Sequence, residues 1–280
     1  MKSLCLLLIS LFVLLTDNVL AKQVVRFNLA TNANQEHCVS LIKLALAPYA
    51  DKYEIKPTLE YLTQARQLAE LDGGGLDVIW VATTPEFESE FAPVRIPLFK
   101  GLLGNRVFLI KESLQGKFRS IQSVRDIQKF KLGQGKTWAD TKILEAAGFD
   151  IVTANKYENL FPMLEGERFD LFPRGIQEPW SEIVDHRDLG LAVEEGLMLV
   201  YPMPLYFFVN KQNTQLQKDL TAGLELAIKN GEFDRTFYAS RLVQDVLDKA
   251  NMEERKVFKI DNPFLTSNTP LNRAELWYQH

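Results

Sequence analysis

Arg174 stands between Pro173 and Gly175 at the end of an apolar run, with Glu178 and Glu182 close behind it. A guanidinium presents a planar fork of donors suited to a carboxylate or a phosphate. Its ordinary role here would be an ion pair with Glu178 or Glu182, but its place at a strand end also admits contact with a ligand. Arg95 lies among apolar neighbours in Pro93-Val94-Arg95-Ile96-Pro97. A charge in such company must be paired or must face a wet cavity, so Arg95 is either an anion clamp or half of a bridge to Glu88 or Glu90. Arg106 and Lys100 are weaker candidates of the same kind. The hydroxyls of Thr83 and Thr84 can donate or accept at the end of another apolar run. Glu178 is the one acid near Arg174 placed for general acid or base work.

The segment Gly133-Gln134-Gly135-Lys136-Thr137-Trp138 contains Gly-Lys-Thr, but the earlier glycine of a nucleotide phosphate loop would fall at position 130, which holds Phe130. What remains is a Gly-rich turn opening a helix, whose backbone N–H groups can face an anion. Trp138 would either stack on a flat part of a ligand or pack in the core. Asp140 reads as a complement to the helix dipole, and Thr31, Asn32 and Asn34 as a turn and helix cap. His37, His186 and His280 are too scattered for a metal set, and His37 and Cys38 are adjacent on a helix, where side chains diverge. There is no Gly-x-Ser-x-Gly elbow and no His-Glu-x-x-His. No catalytic residue, metal or cofactor is therefore assigned, and an enzyme is the weakest of the functional readings.

The elements that must position these groups repeat. Leu71-Asp72-Gly73-Gly74-Gly75-Leu76-Asp77-Val78-Ile79 is echoed by Leu164-Glu165-Gly166-Glu167-Arg168-Phe169-Asp170-Leu171-Phe172. Each follows a helical stretch and opens a short buried strand. Strand patterns at 23–30, 53–61 and 76–81 alternate with helical ones at 36–47 and 63–71, which gives β-α-β-α-β with right-handed crossovers. Strands at 130–132, 151–154 and 169–172 and helices at 138–147 and 157–164 repeat the scheme. The fold class is α/β: two Rossmann-like lobes with mostly parallel sheets, joined by a two-strand hinge. Apolar stretches at 106–110 and 205–209 are the expected crossing strands. The lobes are then 22–108 with 210–280, and 109–209 inserted between. Ligands bind beyond the carboxyl ends of such strands, so Ala82, Thr83 and Thr84 should face Pro173, Arg174 and Gly175 across a cleft. Leu216, Leu220, Leu224, Ala227 and Ile228 form one face of a helix stopping at Asn230-Gly231, and aromatic residues at 258–263 and 276–278 anchor the tail on the first lobe.

Of 280 residues, 46% are apolar and 24% charged, which is enough for a packed core. A net charge of −4 argues against a nucleic-acid partner. Residues 1–21 read as a signal peptide cleaved near Ala21: Met1-Lys2 gives a positive start, an apolar run follows, and Val19-Leu20-Ala21 sets small residues at the cleavage positions. Cys5 falls inside this segment, leaving Cys38 alone in the mature chain, so no internal disulfide can form. A soluble periplasmic monomer is expected.

This layout resembles the extracellular solute-binding proteins of family 3, the type 2 periplasmic-binding fold of amino-acid transporters. The likeness covers the whole mature chain. It rests on the turns at 71–77 and 164–170, Thr83-Thr84-Pro85-Glu86, Pro97 and the loop from Gly133 to Trp138. The resemblance implies a small-molecule ligand held between the lobes and a membrane permease as partner. Two departures bear on the ligand. Where amino-acid binders carry an Arg after Thr-Pro-Glu, this chain has Phe87; where they carry an Asp after the second turn, it has Gly175. With both halves of that clamp missing, the standard ligand does not carry over; the arginines expected in the cleft point to a small polar, anionic or carboxylate-bearing solute contacting Thr83, Thr84, Arg95, Trp138, Arg174 and Glu178. A sensor presenting its ligand state to a membrane receptor is the alternative.

Overall fold

The computed structural model describes residues 21–279. The expected signal segment, apart from Ala21, and His280 lie outside the described residues. The chain opens with β1 (Gln23–Phe27), α1 (Ala33–Leu46), β2 (Tyr53–Pro57), α2 (Gln64–Asp72), β3 (Ile79–Ala82), α3 (Pro85–Glu90) and β4 (Phe91–Val94). It continues through β5 (Asn105–Lys111), the short helices α4 (Gln115–Phe118) and α5 (Val124–Ile127), β6 (Lys131–Gly135), α6 (Ala139–Ala146), β7 (Asp150–Ala154), α7 (Leu160–Glu165), β8 (Phe172–Gly175), α8 (Pro179–Asp185), β9 (Leu191–Val193) and β10 (Leu197–Val200). It returns as β11 (Leu205–Asn210), α9 (Thr214–Lys229), α10 (Glu232–Ala239), α11 (Arg241–Lys249) and β12 (Lys256–Lys259).

The repeated sequence builds one turn twice. Gly73 N–H donates to the Ala69 carbonyl and Gly166 N–H to that of Pro162, both at 2.9 Å, closing α2 and α7. The next residue is left-handed in each case, Gly74 at φ 77° and Glu167 at φ 56°. Asp77 and Asp170 then knit the following strand to the first strand of each lobe. Their N–H groups donate to the carbonyls of Arg26 and Lys131, each at 2.9 Å. Their carboxylates accept in return from the N–H groups of those same two residues, at 2.8 and 3.0 Å.

Each lobe thus starts as a parallel sheet, β1 with β2 and β6 with β7, and is completed by one antiparallel strand from elsewhere in the chain. β11 runs between β3 and β4, with Leu205 opposite Ala82 and Phe207 opposite Val94. β5 pairs with β8, β9 and β10, with Arg106 opposite Gly175. The two stretches expected to cross between lobes are therefore each the antiparallel strand of one sheet. Just before them, Tyr201 N–H donates to the Gly104 carbonyl at 3.1 Å. A Cβ on Gly104 would lie 2.0 Å from the Tyr201 carbonyl oxygen, so the two passing segments touch backbone to backbone.

The first core joins Leu41, Ile42 and Ala45 of α1 to Leu216, Leu220 and Leu224 of α9, all fully buried. These helices cross so closely that a Cβ on Gly223 would sit 1.8 Å from the Ala45 carbonyl oxygen. The second lobe packs Phe108, Phe118, Leu132 and Leu144 on one side of its sheet and Phe161, Phe169 and Phe172 on the other. The tail does not stay on the first lobe. β12 pairs in parallel with β10 and Phe258 enters the second core. Thr266 then donates to the Glu88 carboxylate at 3.1 Å, Leu276 enters the first core, and Tyr278 N–H donates to the Lys100 carbonyl at 2.7 Å.

Candidate ligand-binding cleft

A cavity of about 260 Å³ lies between the two sheets and takes lining residues from both. The first lobe supplies a neutral wall. Asn34 and Gln35 come from the first turn of α1, whose cap is Asn32, its Oδ1 accepting from Gln35 N–H at 3.0 Å. Gln64 and Gln67 come from α2, and Trp80 from β3. The second lobe supplies a charged wall: Arg106 on β5, Asp140 on α6, Arg174 on β8, then Glu178 and Glu182 at the start of α8.

The charged groups form one connected network. Arg174 Nε and Nη2 donate to Glu182 Oε2 and Oε1 at 2.9 and 2.6 Å, and Nη2 lies 3.1 Å from Glu178 Oε1. Tyr157 OH donates to Glu182 Oε1 at 2.6 Å. The Arg174 guanidinium is boxed by the rings of Trp138, Phe172 and Tyr157, at 5.0, 5.0 and 5.4 Å. Arg106 meets Asp140 at 2.8 Å, donates to Tyr201 OH at 3.0 Å, and stands 3.6 Å from Glu178 Oε2. Burial lowers both guanidinium pKa values, but the carboxylates beside them outweigh it and hold both above their ordinary value. Burial pushes the Glu178 carboxyl up, and neither Arg174 nor Arg106 restores it. Burial likewise raises the Tyr157 and Tyr201 hydroxyls, so both remain donors. A bridge from Lys142 on α6 to Glu86 on α3, at 3.0 Å, spans from one lobe to the other.

No family model matches the chain, and no curated protein sequence matches it. Solved structures do. An ancestral arginine-binding protein bound to arginine matches with a TM-score of 0.58 at 17% identity, over 80% of this chain and 100% of that one. An amino-acid transporter substrate-binding protein from Streptococcus pneumoniae bound to L-arginine matches with a TM-score of 0.53 at 17% identity, over 82% and 95%. A histidine kinase sensor domain similar to periplasmic binding proteins matches with a TM-score of 0.58 at 12% identity, over 79% and 95%. The chain has the fold of the type 2 periplasmic-binding proteins. Among the described residues no helix is long and apolar enough to cross a membrane.

Within this binding-protein fold, three of the six residues singled out from the sequence line the cleft: Trp138, Arg174 and Glu178. Thr83, Thr84 and Arg95 do not. They belong to a separate cluster around Glu88, where Thr83 donates to Oε1 at 2.7 Å and Arg95 Nη2 bridges to Oε2 at 2.6 Å. Thr84 caps α3 by accepting from Phe87 N–H at 3.1 Å. The strand end before α3 turns away from the cleft, so Val81 and Ala82 line it in their place. On the other side β8 runs later than expected, to Gly175, because its pairing with β5 extends to Arg106. Arg174 is thus inside the strand.

The Gly133-Gln134-Gly135 segment is strand β6 rather than a loop. Its glycines make room for rings: a Cβ on Gly133 would lie 2.2 Å from Phe169, and one on Gly135 would lie 2.4 Å from Trp138. Asp140 is a cleft residue bound to Arg106, beyond its expected dipole role. Asn32 caps α1, and both Asn32 and Asn34 line the cleft. Tyr157, Gln177, Trp80 and the α2 amides carried no motif; only their places beside strand ends and helix starts could have marked them. His37 turns to the Leu98 carbonyl, at 2.9 Å from Nε2, while Cys38 lines the cleft with its thiol raised by burial.

Proposed function

We propose that the chain is a solute-binding protein that captures one small polar solute in this cleft, closes over it, and offers the closed form to a membrane transporter. The observation that carries this reading is the shared wall: Asn34 and Trp80 on one sheet face Arg174 and Glu178 on the other around one cavity, so a bound solute would touch both lobes and favour their closure. The bodies that move are taken to meet near Gly104 and Tyr201, close to the 108/109 and 209/210 boundaries read from the sequence. Structural neighbours that bind arginine support a transport role. Residues 1–21, read as a cleaved signal peptide, support a periplasmic location, with the mature chain acting as a monomer. The anionic ligand expected from the sequence rested on Arg95 and Arg174, and both are paired with carboxylates.

A solute library screened by thermal shift tests the reading. A true ligand raises Tm saturably, lowers the radius of gyration, and is recovered unchanged. No saturable binder, or a binder that is turned over, counts against it. A sensory role is the second reading, favoured by the kinase sensor domain among the neighbours. Solute uptake in a strain lacking the chain separates the two: a transport protein is required for uptake, a sensor is not.

A further inference from the structure

We propose that the solute is an organic cation, an alkylammonium or guanidinium, received at Glu178. This rests on the solute-binding reading and narrows it to a ligand class. The cleft holds two buried amide oxygens without a partner, and its two guanidiniums are outnumbered by three carboxylates.

The donors come first. Arg106 and Arg174 are the only lysine or arginine side chains among the cavity-lining residues. Arg174 is held by Glu182 through two hydrogen-bonding nitrogens and by Glu178 through one of them. Arg106 is held by Asp140 and Tyr201. An incoming carboxylate or phosphate would add negative charge to a site where three carboxylates already face two guanidiniums.

The acceptors are different. Three carboxylates, of Asp140, Glu178 and Glu182, face these two guanidiniums. The side chains of Asp140 and Glu182 are 2% and 9% exposed, whereas that of Glu178 is 16% exposed and is the least enclosed of the three. Beside it, Gln177 is 3% exposed and its Oε1 has no hydrogen-bond partner. On the opposite wall Asn34 Oδ1 is also buried without a partner. Buried acceptors are filled in nearly all native proteins, so these two, on facing walls of one cavity, mark where a ligand brings donors. A carboxylate or phosphate brings acceptors only. A neutral polyol brings donors but does not offset three carboxylates set against two guanidiniums. A cation answers both, and Trp80 adds an aromatic surface on the same cavity.

Burial raises the Glu178 carboxyl, so it holds its proton to higher pH than a free glutamate. The other groups around it are Arg174, Arg106, Glu182, Asp140 and Tyr157. The two arginines stay charged throughout, and the hydroxyl stays neutral at ordinary pH. A cation bound at Glu178 favours the ionised carboxyl, so affinity rises with pH through the Glu178 transition and is lost below it.

The test uses the purified chain and a probe panel at matched ionic strength: agmatine, putrescine and choline as cations, succinate and phosphate as anions, glucose as the neutral probe. Thermal shift screens the panel at roughly 10 mM, and calorimetry measures binders. The expected result is saturable stabilisation by at least one cation and none by the anions. For that cation Glu178→Gln weakens binding about tenfold or more, equivalent to about 1.4 kcal/mol. Should the variant fold poorly, the pH series on the parent chain decides: affinity falls as pH is lowered from neutral through the Glu178 transition. Saturable binding of succinate, phosphate or glucose with the cations silent overturns the cation assignment and leaves the solute-binding reading standing. Cation binding that ignores both Glu178→Gln and pH also overturns it. A panel and wider library without any saturable binder overturn both.

Discussion

The two lobes answer the same local sequence with the same turn and then diverge within a few residues. Asp77 and Asp170 are anchored identically, yet the strands that follow carry different chemistry to the cleft. At matching distance from these aspartates stand Val81 and Arg174. The first is an apolar residue, 5% exposed, in a wall of amides and indole. The second is the centre of a buried ion network. The repeat fixes where a strand ends; what the strand end does is set by one side chain and by the partners that other elements bring to it.

The sharpest way to break this comparison is to remove both matched residues. Arg174→Ala strands Glu178 and Glu182 without their partner, and should cost about 3–5 kcal/mol in urea unfolding. The deficit should shrink as pH falls, since protonation removes the unpaired charges. Val81→Ala loses only packing, about 1–3 kcal/mol, with no such pH dependence. Equal costs, or equal pH profiles, would mean the two walls are not different in kind.

A middle-sized effect tests the shared part. Asp77→Ala and Asp170→Ala each remove a carboxylate that accepts from a neighbouring strand's N–H. Each should cost about 1–2 kcal/mol, and the two should agree to about 0.5 kcal/mol. A large disparity would deny that the repeat is one device used twice. The smallest effect sits at the left-handed position. Gly74→Ala should cost about 1 kcal/mol through its backbone alone, because no atom lies within 4 Å of the added Cβ. Glu167→Gly should gain about 0.5 kcal/mol, less whatever the exposed pair with Lys111 contributes.

Much of the fold was legible because its signals are local. The Gly turns, the helix on 216–228 and the apolar strands all follow from patterns within a few residues. The sites of error were non-local. Nothing in Arg106 or Leu205 tells which sheet each stretch joins; pairing with β8 or β3 decides it. Thr84 reads as a ligand hydroxyl until α3 claims it as a cap, and Gly133 and Gly135 read as an anion turn until Phe169 and Trp138 fill the space above them. In the cleft, Arg174 and Glu178 were found from their place at a strand end. Their partners Arg106, Asp140 and Tyr157 come from elements far along the chain, and only the assembled sheets bring them together.

The path of the tail limits how the molecule can work. Ile260 is bound to Val200 in the second lobe and Thr266 to Glu88 in the first, so the tail is a further link between the halves. The span from Ile260 to Thr266 reaches about 20 Å when fully drawn out. Any separation of the two halves beyond that reach requires this strap to peel from one of them.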